Sequence, residues 1–133
     1  MNKNEFDRIA EELKPKGNIG KHCFNAFVYG GVIGIIAQAV LEFYMSIYDC
    51  SQKEATPMMT ITLVFIASLL TGLGIYDNLA KNAGAGTFIP ITGFANSMAS
   101  SALDSKSEGL IFGIGSNMFK LGGTVITYGI VSS

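Results

Sequence analysis

Residues 58–76 read Met-Met-Thr-Ile-Thr-Leu-Val-Phe-Ile-Ala-Ser-Leu-Leu-Thr-Gly-Leu-Gly-Ile-Tyr, a run rich in Ile, Leu, Val and Phe with no charged side chain. A helix of this length and composition crosses the hydrocarbon core of a bilayer. Asp77 closes the run, and Pro57 fits the first helical turn ahead of it. Upstream, residues 42–56 read as a polar connector holding Glu42, Asp49, Lys53 and Glu54. Residues 23–41 before it are again uncharged, with Asn25 and Gln38 as the strongly polar interruptions, and predict a second span. Tyr29, Tyr44 and Tyr48 stand near its ends, where amphipathic rings favour the headgroup level. Its apolar core is too long for a cleavable signal, and no small-residue cleavage site follows.

Downstream, residues 82–103 are also uncharged but differ in character: Asn-Ala-Gly-Ala-Gly-Thr-Phe-Ile-Pro-Ile-Thr-Gly-Phe-Ala-Asn-Ser-Met-Ala-Ser-Ser-Ala-Leu. Gly84, Gly86, Pro90 and Gly93 predict a broken or hinged helix. Thr87, Thr92, Asn96, Ser97, Ser100 and Ser101 make the segment too polar to face lipid. Broken helices at membrane depth are tolerated where protein buries them or water lines them. The segment is therefore a discontinuous span or a re-entrant hairpin. Residues 109–131 form the last apolar stretch, with Lys120 near the middle. Asp104, Lys106 and Glu108 make the polar turn before it, and Ser107 is a candidate cap.

The composition agrees with the spans. Of 133 residues, 49% are hydrophobic and 14% charged, the net charge is -1 and the mean hydropathy is +0.40. A soluble domain carries about 25% charged residues. Nine of the acids and bases fall within residues 1–21, so the rest of the chain cannot coat a soluble globule. The expected fold is an all-α integral membrane protein. It is a small bundle of three to four hydrophobic segments, one of them broken or re-entrant. Residues 22–133 form this transmembrane domain, and residues 1–21 form a polar arm. Within the arm, Phe6, Ile9, Ala10 and Leu13 share one face of a short amphipathic helix over residues 4–14, capped by Asn4 and stopped by Pro15 and Gly17. That helix either lies on a membrane surface or partner, or is a weakly ordered arm. Lys14, Lys16 and Lys21 precede the first span, whereas the connector after it holds one lysine against three acids. The positive-inside rule places the N-terminus on the cytoplasmic side.

Chemistry of an enzymatic kind is not written here. His22 is the single histidine and reads as an interfacial residue beside Lys21. Cys23 and Cys50 flank the first span about 40 Å apart along a helix, too far for a disulfide. No nucleophile elbow, phosphate loop or metal-ligand spacing occurs, and Gly84-Ala85-Gly86 lacks the third glycine of a dinucleotide fingerprint. No catalytic residue, cofactor or metal is expected, and the charge balance excludes a nucleic-acid partner. Small residues recur four apart at Gly30 and Gly34, Ser68 and Gly72, and Gly109 and Gly113, a spacing that lets helices approach closely in lipid. Lys120 is the sharpest single residue, because a mid-membrane lysine costs at least about 2.5–3.5 kcal/mol. Three readings stand for it: attraction of an anion in a pore, a structural ion pair or carbonyl contact, or a shifted register that lets it snorkel. Gln38, Thr92, Asn96, Ser97 and Asn117 are the other polar groups that would line such a path or bond across helices.

These residues also carry a family likeness. The runs Thr71-Gly-Leu-Gly-Ile-Tyr76-Asp77, Gly84-Ala-Gly86-Thr, Pro90-Ile-Thr-Gly-Phe-Ala-Asn-Ser-Met98, Glu108-Gly109 and Asn117-Met-Phe-Lys120 resemble the sporulation AC/AEb membrane protein family. Lys14-Pro-Lys16 and Ala26-Phe-x-x-Gly30-Gly31 with Gln38 fit as well, so the likeness covers roughly residues 11–131. The Phe94–Met98 and Asn117–Lys120 wording favours the AC type. The resemblance implies a protein of the endospore inner membrane, within a system that moves dipicolinic acid, as its calcium chelate, into the spore and releases it at germination. It implies a channel responsive to membrane tension. It also implies two partners, an AD-type soluble subunit with a thiolase-like fold and an AE-type membrane subunit. Family members usually continue past the position of Gly129 with apolar residues and a basic end, whereas this sequence stops at Ser133. A short last helix without a basic anchor is the expectation.

The expected function is thus a channel subunit for a small dianion, with a polar lining, a hinge-capable broken segment and membrane lipid around it. One chain has too few helices to enclose a pore, so a homo- or hetero-oligomer is expected. Two rivals belong to other classes. A non-conducting scaffold anchoring soluble partners would depend on residues 1–21 and the connectors rather than on Lys120. A secondary transporter would want an intramembrane carboxylate, and the acids here sit at segment ends.

Overall fold

The computed structural model describes residues 19–133. The amphipathic helix expected at residues 4–14 lies outside them. The described residues are helical, with no strand among them. Helix α1 runs Ile19–Tyr48 and α2 runs Gln52–Gly72. Three short pieces follow: α3 at Tyr76–Ala83, α4 at Ala85–Phe88 and α5 at Ile91–Asp104. A 3-10 turn at Lys106–Glu108 and a π-helical turn at Leu110–Gly115 lead into α6, Ser116–Ser132. Three elements are long and apolar enough to cross a membrane: α1, α2, and the combined Leu110–Ser132 helix.

The boundaries differ from the sequence reading in instructive ways. Residues 42–56 are mostly helix, and the connector shrinks to Asp49, Cys50 and Ser51. Charges at Glu42, Lys53 and Glu54 do not interrupt helical hydrogen bonding. What stops α1 is Asp49, whose φ of 48° no continuing helix adopts. Helix α2 then starts early because Glu54 accepts hydrogen bonds from the Ser51 N–H (2.9 Å) and hydroxyl (2.7 Å). Pro57 consequently sits inside the helix, on an exposed turn, not in its first turn. At the other end α2 stops at Gly72, and Gly74 takes a φ of 72°, so Tyr76 and Asp77 belong to the next helix. Ser107 does not cap the last helix. It lies in the 3-10 turn, and Gly109 at φ 94° makes the entry.

The segment 82–103 is discontinuous as expected, broken at Gly84 (φ 52°, ψ -128°) and at Pro90. Its first piece shows why it folds back. Tyr76, Ala80 and Ala83 occupy one face of α3 and are buried, whereas Asp77, Asn78 and Lys81 are exposed. Ala67, Tyr76, Ala80 and Ala95 form the core where α2, α3 and α5 meet, with Val64 and Leu70 against it. Directions follow from the contacts. Tyr44 bonds Thr62, so α1 and α2 are antiparallel neighbours. Thr71 near the end of α2 meets Asn96, and Tyr76, four residues beyond that end, meets the earlier Thr92, so α5 runs back along α2. Asn117 meets Ser105 and Gly122 meets Met98, so α6 runs back along α5. The 14 residues of α5 span about 21 Å, less than the ~30 Å of a hydrocarbon core. It is a short return that brings α6 parallel to α2.

Two glycines make this return possible. Gly86 packs its backbone on Ala26 of α1, and Gly93 packs on the backbones of Thr87 and Phe88. A Cβ at either position would overlap main-chain atoms that cannot rotate away. The four-spaced small pairs contribute less than their pattern suggests. Gly30 faces Gly86 and Gly113 faces Ser105, while Gly34 and Gly72 have open space where a side chain would stand. Substituting Gly86→Ala should lower stability by about 1–3 kcal/mol, the cost of overpacking, whereas Gly123→Ala, which meets nothing within 4 Å, should stay within about 0.5 kcal/mol. Thermal unfolding of the two variants in the same detergent checks this, and equal midpoints would refute the close-contact account.

Candidate functional site

Polar side chains collect in two places. The first is a buried seam between α2, α3, α4 and α5. The Thr71 hydroxyl lies 2.7 Å from the Ala67 carbonyl and 2.7 Å from the Asn96 side-chain amide. The Tyr76 hydroxyl lies 3.0 Å from the Thr87 carbonyl, which accepts, and 3.1 Å from the Thr92 hydroxyl. Thr87 in turn bonds the Gly84 carbonyl at 3.1 Å. Among the described residues no buried side-chain polar atom lacks a partner. The seam ties the broken segment to α2, because each hydroxyl or amide would otherwise be stranded in an apolar surround.

The second is an open groove between α5 and α6, with a volume of about 430 Å³. Asn96, Ser100 and Asp104 line it at one spacing of four, and Ser97, Ser101 and Ser105 at another. Asn117 faces them from α6 and donates to the Ser105 hydroxyl at 2.7 Å. A smaller hollow of about 330 Å³ continues it, shared through Ser101 and Asn117 and extended by Lys120 and Thr124. Lys120 is exposed, and the groove thus carries one cation and one anion, Lys120 and Asp104.

Of the residues singled out in the sequence, Asn96, Ser97 and Asn117 therefore line the groove, and Lys120 lines the adjoining hollow, which also includes Asn117. Thr92 is buried in the seam, and Gln38 lies on the exposed side of α1, donating to Glu42 at 2.9 Å. Gly84 and Pro90 stand at breaks, whereas Gly86 and Gly93 stand inside helical pieces at tight backbone contacts. Ser100, Ser101, Asp104, Ser105 and Thr124 are polar lining residues beyond those the sequence singled out as a path. The signal was present: residues 96, 100 and 104, and 97, 101 and 105, recur at helical spacing and put one polar face on α5. Tyr76 and Thr71 carried no such signal, because their role depends on partners up to 25 residues away.

Residues 22–133 match the family described as SpoVAC/SpoVAEB sporulation membrane protein. The chain belongs to this family. Its members include the stage V sporulation protein AC of Bacillus subtilis strain 168, 45% identical over 131 residues, which cover 98% of this chain and 87% of that protein. No solved structure matches. The groove and the seam thus belong to a multi-pass sporulation membrane protein.

The seam and the groove should respond differently to substitution. Tyr76→Phe leaves the Thr87 carbonyl and the Thr92 hydroxyl without a shared partner and should cost about 1 kcal/mol. Ser97→Ala removes only a local bond to the Gly93 carbonyl and should change stability by less than about 0.5 kcal/mol. Unfolding in a graded mixture of mild and denaturing detergents measures both. A larger loss in Ser97→Ala would contradict the division.

Proposed function

We propose that this chain is a subunit of a spore inner-membrane channel for dipicolinic acid. The channel takes up the acid or its calcium chelate in sporulation and releases it in germination, and membrane tension opens it. The observation that carries this reading is the groove of Asn96, Ser97 and Asn117 between α5 and α6, with Lys120 in the hollow that adjoins it at Asn117. A lysine beside hydroxyl and amide groups on a helix of membrane-spanning length is expensive against lipid. Facing water, the same groups replace part of a small anion's hydration shell, and the cation attracts it. Dipicolinate is a dianion and fits that chemistry. The family membership supplies the biological setting.

The groove is open along one side, so a closed path needs a further subunit. An AD-type soluble protein and an AE-type membrane protein complete the system in this reading. The N-terminus faces the cytoplasm, in keeping with Lys14, Lys16 and Lys21 ahead of α1. For gating, the helix α6 has no buried residue and meets the rest of the chain along α5. An element held on one side moves outward at low cost, and outward movement enlarges the in-plane area that tension acts on.

The test is solute release from liposomes loaded with calcium dipicolinate, before and after an osmotic downshift. Wild-type protein, with the membrane partner where required, should release under tension, and Lys120→Met should slow release about tenfold through the lost attraction. Release that ignores Lys120→Met would remove the lysine from the path. No release in either composition would favour a non-conducting scaffold that anchors the soluble partner.

A further inference from the structure

On the far side of the seam from the groove lies a third hollow, of about 250 Å³, between α1, α2 and α3. Its floor is deep: Leu63, Ala67, Tyr76, Thr87 and Thr92 are all buried, Ala67 to 2% exposure. Its rim is not. Val32, Ile36, Ile66 and Leu79 are between 40% and 49% exposed. The surface facing the hollow is apolar throughout. The three hydroxyls on the floor, those of Tyr76, Thr87 and Thr92, are turned into the seam and engaged there.

Water gains nothing in such a place, because a buried water needs two to four polar partners. Apolar hollows bind apolar guests instead, and one of about 150 Å³ in an engineered protein takes up benzene. This hollow is larger, and three of its four half-exposed rim residues, Val32, Ile36 and Ile66, stand on α1 and α2, two helices of membrane-spanning length. Ile35 and Phe65, next in sequence to the rim residues Ile36 and Ile66, are 71% and 65% exposed and apolar, as a surface against lipid requires. The guest present at highest concentration at that rim is hydrocarbon.

We propose that this hollow is a binding site for one acyl chain of a membrane lipid, inserted between α1 and α2 to reach Tyr76 and Leu63. The site requires no headgroup recognition, since the floor offers no charge and no free hydrogen-bonding group. It is separate from the polar groove and stands whether or not that groove conducts.

Photolabelling tests the assignment. Full-length protein is placed in phosphatidylglycerol nanodiscs doped with phosphatidylglycerol whose acyl chain carries a mid-chain diazirine, and adducts are mapped by peptide mass spectrometry. Adducts are expected on Tyr76 or Leu63 at the floor as well as on Phe65 outside. Ala67→Met fills the floor, and floor labelling should fall about tenfold, as expected for two methylenes displaced from the bound chain, with Phe65 labelling unchanged. Ile36→Trp obstructs the mouth from the exposed rim without touching the core, and should reduce floor labelling in the same direction. Labelling confined to Phe65 and its surface neighbours would overturn the proposal. So would floor labelling indifferent to both variants. Floor labelling that emerges only after removal of residues 1–18 would assign the hollow to the chain's own N-terminal arm, and a floor-to-floor crosslink between subunits would assign it to a second copy. Either result would displace the lipid.

Discussion

Backbone that leaves the helix in the apolar interior of a bundle must be covered by protein, and here the cover is main chain against main chain. Gly86 rests on Ala26 of α1, and Gly93 rests on Thr87 and Phe88. These contacts are closer than any side chain allows, so they hold only because both positions lack one. They bring α4 against α1 and fold α5 back along α2. Everything distinctive in the molecule lies downstream of that return: the seam at Tyr76 and Thr92, the polar face of α5, and the hollow above Ala67.

The seam and the groove divide the polar groups of one segment between two tasks. Thr71 turns inward to Asn96, and Tyr76 to the Thr87 carbonyl and the Thr92 hydroxyl, which stabilises the break. Ser97, Ser100, Ser101 and Asp104 turn outward toward α6 and leave capacity for something else. Asn96 belongs to both, buried against Thr71 while also forming part of the groove wall. A protein that only needed to close its core would have had no use for the outward face. That surplus, with Lys120 beside it, underlies the channel reading.

Much of the fold was legible from local pattern. The charge-free runs located α1, α2 and the last helix, and Gly84 and Pro90 located the breaks. The errors share one cause. Polarity was taken as an interruption at residues 42–56, yet helices carry charged residues wherever water or headgroups meet them. The real stop was Asp49 in a left-handed conformation, and the real start was the Ser51–Glu54 pair. The four-spaced glycines held in part: Gly30 meets Gly86 and Gly113 meets Ser105, while Gly34 and Gly72 pack against nothing and Gly86, outside any such pair, makes the tightest contact.

The sequence by itself determined that this is an all-helical membrane protein of the sporulation family with one broken segment. Those properties depend on composition, on local backbone chemistry and on runs of identical residues, all of which are written along the chain. Tertiary structure alone decided which polar residues meet. Thr92 and Asn96 look equivalent in sequence, yet one is enclosed by Tyr76 and the other also walls a groove. Gln38, on α1, joins neither. The reason is that a side chain's surroundings are set by residues distant in sequence, through helix directions and backbone contacts that no local pattern encodes.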